Sequence, residues 1–138
     1  VSSPRHSPLV LDSWAVLAYL QGEAPAQKVA DLLTKTLDKS IPALMSVVNL
    51  GEVWYILARE ISEQEANEAI QNVRSWGIEV MDVNWPLTQT AARYKSAHKM
   101  SYADTFAAAL ALQQKATLVT GDFEFKALEK EIEILWLR

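Results

Sequence analysis

Short apolar runs alternating with helical stretches predict an α/β fold, a parallel sheet of about four to five strands with helices on both faces, because parallel neighbours need long crossovers. Two observations carry this prediction. The runs Leu9-Val10-Leu11, Ile41 to Met45, Ile78 to Met81 and Ala116 to Val119 are too brief for helices and are spaced as strands buried on both sides. Between them, apolar residues return at helical spacing. No repeat, linker or low-complexity tract divides the chain, so residues 9–138 read as a single domain behind a loose N-terminal tail of residues 1–8.

In chain order, Trp14, Leu17, Ala18 and Leu20 form a helix after the first strand, and a second helix runs from Pro25 to Lys39 with Val29, Leu32, Leu33 and Leu37 inward. After the second strand, Ser46 caps a helix from Val47 to Glu60. The capping-box pattern Ser62-Glu63-Gln64-Glu65 opens the next, which ends near Gly77. Beyond the third strand, Trp85-Pro86 starts a helix reaching Lys99, and Ser101 caps another through Lys115. The fourth strand, a last helix and an apolar segment from Ile132 to Leu137 complete the pattern.

Composition narrows the function. A chain of 138 residues buries roughly 70% of its unfolded surface and stands without staples. It has no cysteine, which excludes disulfides, thiolate zinc sites and a cysteine nucleophile, and suits a reducing compartment such as the cytoplasm. The net charge of −4 argues against binding nucleic acid by diffuse basic attraction. Arg5 and His6 ahead of an apolar stretch, with Ala24-Pro25-Ala26 beyond, mimic a secretory signal, but Asp12 and Ser13 split that stretch and the helical pattern resumes. No apolar run is long enough to span a membrane.

Four acids stand out. Asp12 and Asp122 directly follow the first and fourth strands, and ligands of open parallel sheets gather beyond the carboxyl ends of strands. Each also has a structural reading as a helix cap, and Ser101-Tyr102-Ala103-Asp104 has the form of a capping box. Glu52 resists such a reading: its helical neighbours are Val48, Tyr55 and Ile56, and an unpaired buried charge is costly, although an ion pair with Arg59 is an alternative. Four converging carboxylates raise one another's pKa values and need cations to coexist. Oxygen ligands without Cys or His favour Mg²⁺ or Mn²⁺, which activate water for in-line attack on a phosphodiester without a protein base. The two histidines, His6 in the tail and His98 on a solvated helix face, are read as bystanders.

Taken together, Leu11-Asp12-Ser13, the Glu52 helix introduced by Ser46, Tyr102-Ala103-Asp104 before an alanine-rich helix, and Leu118-Val119-Thr120-Gly121-Asp122 with Phe125 beyond resemble the PIN-domain nucleases. The similarity is strongest to VapC-type toxin ribonucleases of bacterial toxin–antitoxin pairs, and it runs from Leu9 to the C-terminus. The resemblance implies a PIN-like three-layer αβα fold and a metal held by Asp12, Glu52, Asp104 and Asp122. It places Ser13 and Thr120 on the inner rim. It further implies an RNA substrate, a homodimer, and an antitoxin whose C-terminal segment crosses the groove. One departure is Glu124, where many relatives carry Asp; it is a doubtful ligand, acting through water or facing solvent.

Lys95 and Lys99, at i, i+4 spacing ahead of Asp104, are the candidate RNA-steering cations against a default reading as a solvated face. The tryptophans Trp14, Trp54, Trp76, Trp85 and Trp136 read as core or interface rather than base-stacking platforms, with Trp14 placed to line a groove. Gly51 inside a helix suggests close packing. A haloacid-dehalogenase-type phosphatase would carry a second Asp where Trp14 stands, and a receiver-like domain would pair acids near the first strand. The remaining alternative is a catalytically silent PIN-like module that binds RNA or protein.

Overall fold

The computed structural model describes residues 7–138. Its strands are β1 (Leu9–Leu11), β2 (Ala43–Ser46), β3 (Ile78–Met81), β4 (Thr117–Thr120) and β5 (Glu133–Trp136). They form one all-parallel sheet in the order β3-β2-β1-β4-β5. Helices α1 (Ser13–Leu20), α2 (Ala26–Asp38), α3 (Val47–Glu60), α4 (Glu63–Ser75), α5 (Trp85–Ala97) and α6 (Tyr102–Gln114) supply the crossovers, and a 3-10 helix spans Phe123–Leu128. The expected three-layer αβα architecture with five strands is therefore present.

Alternation along the strands builds two cores. Val10, Leu44 and Leu118 face α5 and α6, while Leu11, Met45 and Val119 face α1 to α4. Helix α6 is buried from Asp104 through Ala111, and its alanines Ala107, Ala108, Ala109 and Ala111 let it approach β1, β2 and β4 closely. From β1 the chain steps outward to β2 and β3, then returns to lay β4 on the other side of β1. That reversal makes a switch point between β1 and β4, where the crevice for a ligand opens.

Several boundaries differ from expectation for local reasons. The expected tail falls, through His6, outside the described residues, as does the signal-like Arg5-His6; Pro8, just ahead of β1, accepts the Thr117 N–H on its carbonyl at 2.8 Å. Strand β2 starts at Ala43 because the Ile41 N–H closes the end of α2 on the Thr36 carbonyl at 2.8 Å and Pro42 has no N–H to give. Helix α5 stops at Ala97, where His98 turns extended (φ −136°, ψ 152°). Gly51 is exposed, with no atom within 4 Å of a Cβ built on it, so close packing within the chain does not explain it. Trp85 is exposed rather than core, and the other four tryptophans are half-buried.

No helix among the described residues is long and apolar enough to cross a membrane. Leu118 is fully buried in the interior strand β4. Leu118→Ala should therefore cost about 3 kcal/mol, read as a lower urea midpoint at unchanged slope.

Candidate functional site

Parallel pairing of Leu11 with Val119 brings the next residues, Asp12 just beyond β1 and Thr120 at the end of β4, side by side. Asp12 is fully buried, and each of its oxygens has a partner. One caps α1 by accepting the Ala15 N–H at 2.9 Å, and the other accepts the Thr120 hydroxyl. The same Thr120 oxygen accepts the Asp122 N–H at 3.0 Å, and the Asp122 carboxylate accepts the Glu124 N–H at 3.0 Å. One hydroxyl thus joins two acids across the switch point.

The N-terminus of α6 delivers the third. Ser101 caps it by accepting the Asp104 N–H at 3.2 Å, which fixes the turn from which the Asp104 side chain projects. Asn49 on α3 donates to the Ala103 carbonyl at 2.9 Å and holds that turn from the other side. Carboxylate oxygens of Asp104, Asp122 and Glu124 all lie within 4.8 Å of one another. Glu124 is therefore the third member of a cation-sized cluster, although its side chain is otherwise exposed.

Glu52 stands apart from that trio. It is half-buried on the wall of an open cleft of about 400 Å³ and accepts a hydrogen bond from the Ser13 hydroxyl. Ser13, Trp14, Leu17, Ile56, Ser101, Asp104, Asp122 and Glu124 complete the lining, with Asp12 enclosed in the core. The expectation that Glu52 is a buried charge fails, and the alternative of an ion pair with Arg59 is not realised either, since Arg59 lies 5.4 Å from the Tyr55 ring centroid.

Burial and crowding have the electrostatic effect expected of clustered acids. Loss of water pushes the Asp12 carboxyl up to about 7, against its hydrogen bonds with Thr120 and Ala15 and with help from the charges of Asp122 and Glu52. Asp104 is pushed up to about 8, first by burial, then by a hydrogen bond shared with Glu124 and by the charges of Asp122 and Asp12. Groups at these values hold protons near neutrality unless a cation replaces them. An all-oxygen donor set of this size fits a hard divalent ion such as Mg²⁺ or Mn²⁺.

A family model described as PIN domain matches residues 9–131. The chain belongs to the PIN domain family. Solved structures with the same fold include VapBC2 from Rickettsia felis bound to a promoter DNA fragment (17% identity, 92% of this chain and 96% of that one, TM-score 0.72). Another is VapBC from Salmonella typhimurium bound to DNA (16%, 96% and 99%, 0.72). A third is VapC20 from Mycobacterium tuberculosis, described as a sarcin-ricin loop cleaving toxin (22%, 86% and 93%, 0.66). No curated protein gives a significant sequence match.

In this PIN domain the steering lysines are not placed as expected. Lys99 lies beyond the end of α5, and the Lys95 amine donates to the Met100 carbonyl at 2.6 Å, so the two do not share a helical face. His98 is no solvated helix residue either: it caps α5, half-buried, 3.9 Å from Glu131. Sequence reasoning missed Asn49, a polar residue on the inward face of α3 three positions before Glu52. It also missed the fit of Gly121, where a Cβ would lie 2.3 Å from the Trp14 ring.

The raised acids set a pH dependence. In the unfolded chain both return to about their ordinary 3.8, so the metal-free native state holds more protons between that value and about 7 for Asp12 or 8 for Asp104. Their stabilising contribution is complete below 3.8 and is lost as pH rises through 7 and 8. The melting temperature of chelator-treated protein should accordingly fall across that window, and less steeply in Asp104→Asn. Added Mn²⁺ should restore it at the alkaline end by binding only the native state; a melting curve indifferent to the ion would remove the metal site.

Proposed function

We propose that this PIN domain is a metal-dependent endoribonuclease, the toxin of a VapBC-type toxin–antitoxin pair. The observation that supports it most is the convergence of Asp104, Asp122 and Glu124 oxygens within 4.8 Å at the mouth of a cleft that also presents Glu52. Asp104, Asp122 and Glu124 would hold Mg²⁺ or Mn²⁺ directly, with Asp12 fixing the turn through Thr120 and adding negative charge from below. When bound, such an ion activates a water and neutralises the leaving oxygen of the scissile phosphodiester. His98, the sole histidine among the described residues, is engaged with Glu131 and does not line the cleft, so among the described residues no imidazole stands ready as general base.

The chain's own residues divide the remaining work. Ser13 orients Glu52 across the cleft from Asp104, and the Ser101 and Asn49 contacts hold the α6 turn against the repulsion of its acids. Because Asp12 and Asp104 must give up protons to admit a cation, metal affinity rises with pH up to about 8.

Neighbours solved as VapBC complexes support an antitoxin partner. A homodimer is supported by α3, where Val47, Gly51 and Tyr55 form an uncovered stripe at i, i+4, i+8.

Cleavage of structured RNAs in Mn²⁺ or Mg²⁺ tests the reading. Asp104→Asn, near-isosteric, removes one ligand charge, keeps the Ser101 cap, and should lower the rate by at least about a hundredfold; a chelator should abolish it. Equal cleavage by parent and variant would mean a contaminating nuclease or a wrong site. RNA binding without cleavage by either would favour a silent module.

A further inference from the structure

We infer that Arg138 and Phe123 form the subsite that receives the single strand beside the acid cleft, the guanidinium on a phosphate and the ring under a base. This rests on the nuclease reading above and supplies what that reading lacks. A polyanion must reach a cleft of carboxylates on a chain of net charge −4, so a local cation has to be fixed at its edge. Lys95 is turned to a backbone carbonyl and Lys99 sits in a loop.

Arg138 is the cation the fold builds into the rim. Its Nε donates to the Gly121 carbonyl at 2.7 Å, one residue before Asp122. Its guanidinium carbon lies 5.2 Å from the Trp14 ring centroid and 4.5 Å from that of Phe123. Trp14 lines the acid cleft, and Gly121 is the residue whose missing Cβ lets that ring approach. Among the described residues, the only ion pair within 4.0 Å is His98 with Glu131, and the terminal nitrogens of Arg138 make no hydrogen bond. The charge is thus positioned by an aromatic slot and a carbonyl, not neutralised by the acids nearby, and its outer edge is free for an anion.

Phe123 provides the second element. It packs against Trp136 at 5.7 Å between centroids and carries the Lys126 ammonium 5.1 Å from its ring, yet remains 48% exposed. Trp136, the Arg138 guanidinium and the Lys126 ammonium all lie against the ring, and the surface it still exposes is what a base would cover. An exposed aromatic face flanked by two cations, next in sequence to a metal-cluster acid, matches what single-stranded nucleic acid needs: every base has a π-face, and every base carries a phosphate. An acidic peptide would use the cations and leave the ring without a role.

Two readouts test this. In the Asp104→Asn background with Mg²⁺, a short oligoribonucleotide carrying a fluorescent purine analogue should bind with its emission quenched. Phe123→Leu should weaken binding about tenfold and relieve the quenching, while Phe123→Trp retains both. Arg138→Gln, which keeps an amide donor for the Gly121 carbonyl, should reduce the slope of log affinity against log salt by about 0.7, and Arg138→Lys should not. With Asp104 intact, Arg138→Gln should raise KM for RNA and leave kcat nearly unchanged. Unaltered binding and salt slope in variants that melt like the parent would overturn the subsite, as would a fall in melting temperature and kcat with the slope retained. Loss of polyglutamate binding without loss of oligonucleotide binding would reassign the patch to a protein and overturn it too. A parent that binds the oligonucleotide as described but never cleaves RNA would sink the nuclease reading alone.

Discussion

The whole site hangs on one hydroxyl. Thr120 donates to Asp12 and accepts from the backbone of Asp122, so the ends of β1 and β4 are held together where the sheet order reverses. Parallel register makes the contact unavoidable, because Leu11 opposite Val119 leaves Asp12 and Thr120 as the next pair out of the ladder. Everything around the cleft is placed relative to that junction. Asp122 starts the 3-10 helix that carries Phe123 and Glu124, Gly121 receives the Trp14 ring and the Arg138 bond, and α1 begins from the Asp12 cap.

Holding the acids together works against stability, and the fold contains the compensations. Asp12 and Asp104 are among the few buried polar groups, and both are displaced toward the protonated form. Such a group costs several kcal/mol if charged and unpaired. Asp12 offsets part of that through two hydrogen bonds, and α6 keeps Asp104 in place through the Ser101 cap and the Asn49 bridge to Ala103. The Asn49 side-chain oxygen has no partner of its own, a further cost tolerated beneath the cleft. Cores on both faces of the sheet, continuous from α1 to β5, supply the surplus that permits this.

What could be read from the sequence was local. A strand ending on Asp, a Ser ahead of a helical run and a capping box depend on neighbours a few residues away, and Asp12, Ser46, Ser62 and Ser101 all cap as expected. Illegible features depend on distant partners. The Glu52 face looked buried because its helical neighbours are apolar, but Tyr55 and Gly51 beside it are exposed, and the buried face of α3 is made by Asn49, Leu50, Val53 and Leu57. Glu124 looked marginal because nothing local shows that a 3-10 turn aims it at Asp104. Lys95 and Lys99 looked paired because their spacing assumes a helix that His98 ends. Arg138 gave no signal at all, since its partners Gly121, Phe123 and Trp14 are 15 residues or more away.

Capping, the structural reading of Asp12 and Asp122, does not compete with their place in and beneath the acid cluster. A carboxylate has two oxygens, and a cap uses one. At Asp12 the Ala15 N–H takes the first and leaves the second for Thr120; at Asp122 the Glu124 N–H takes one oxygen, and the carboxylate lies in the cluster with Asp104 and Glu124. The cap therefore fixes the rotamer that aims the remaining oxygen, which is the pre-organisation a charged site requires before its ligand arrives. It also separates the two roles chemically. Asn caps about as well as Asp, so an Asp-to-Asn change at either position removes charge while sparing the helix start, whereas an Ala change removes both. A structural role for these residues is thus part of how the site is built, and finding it weighs nothing against function.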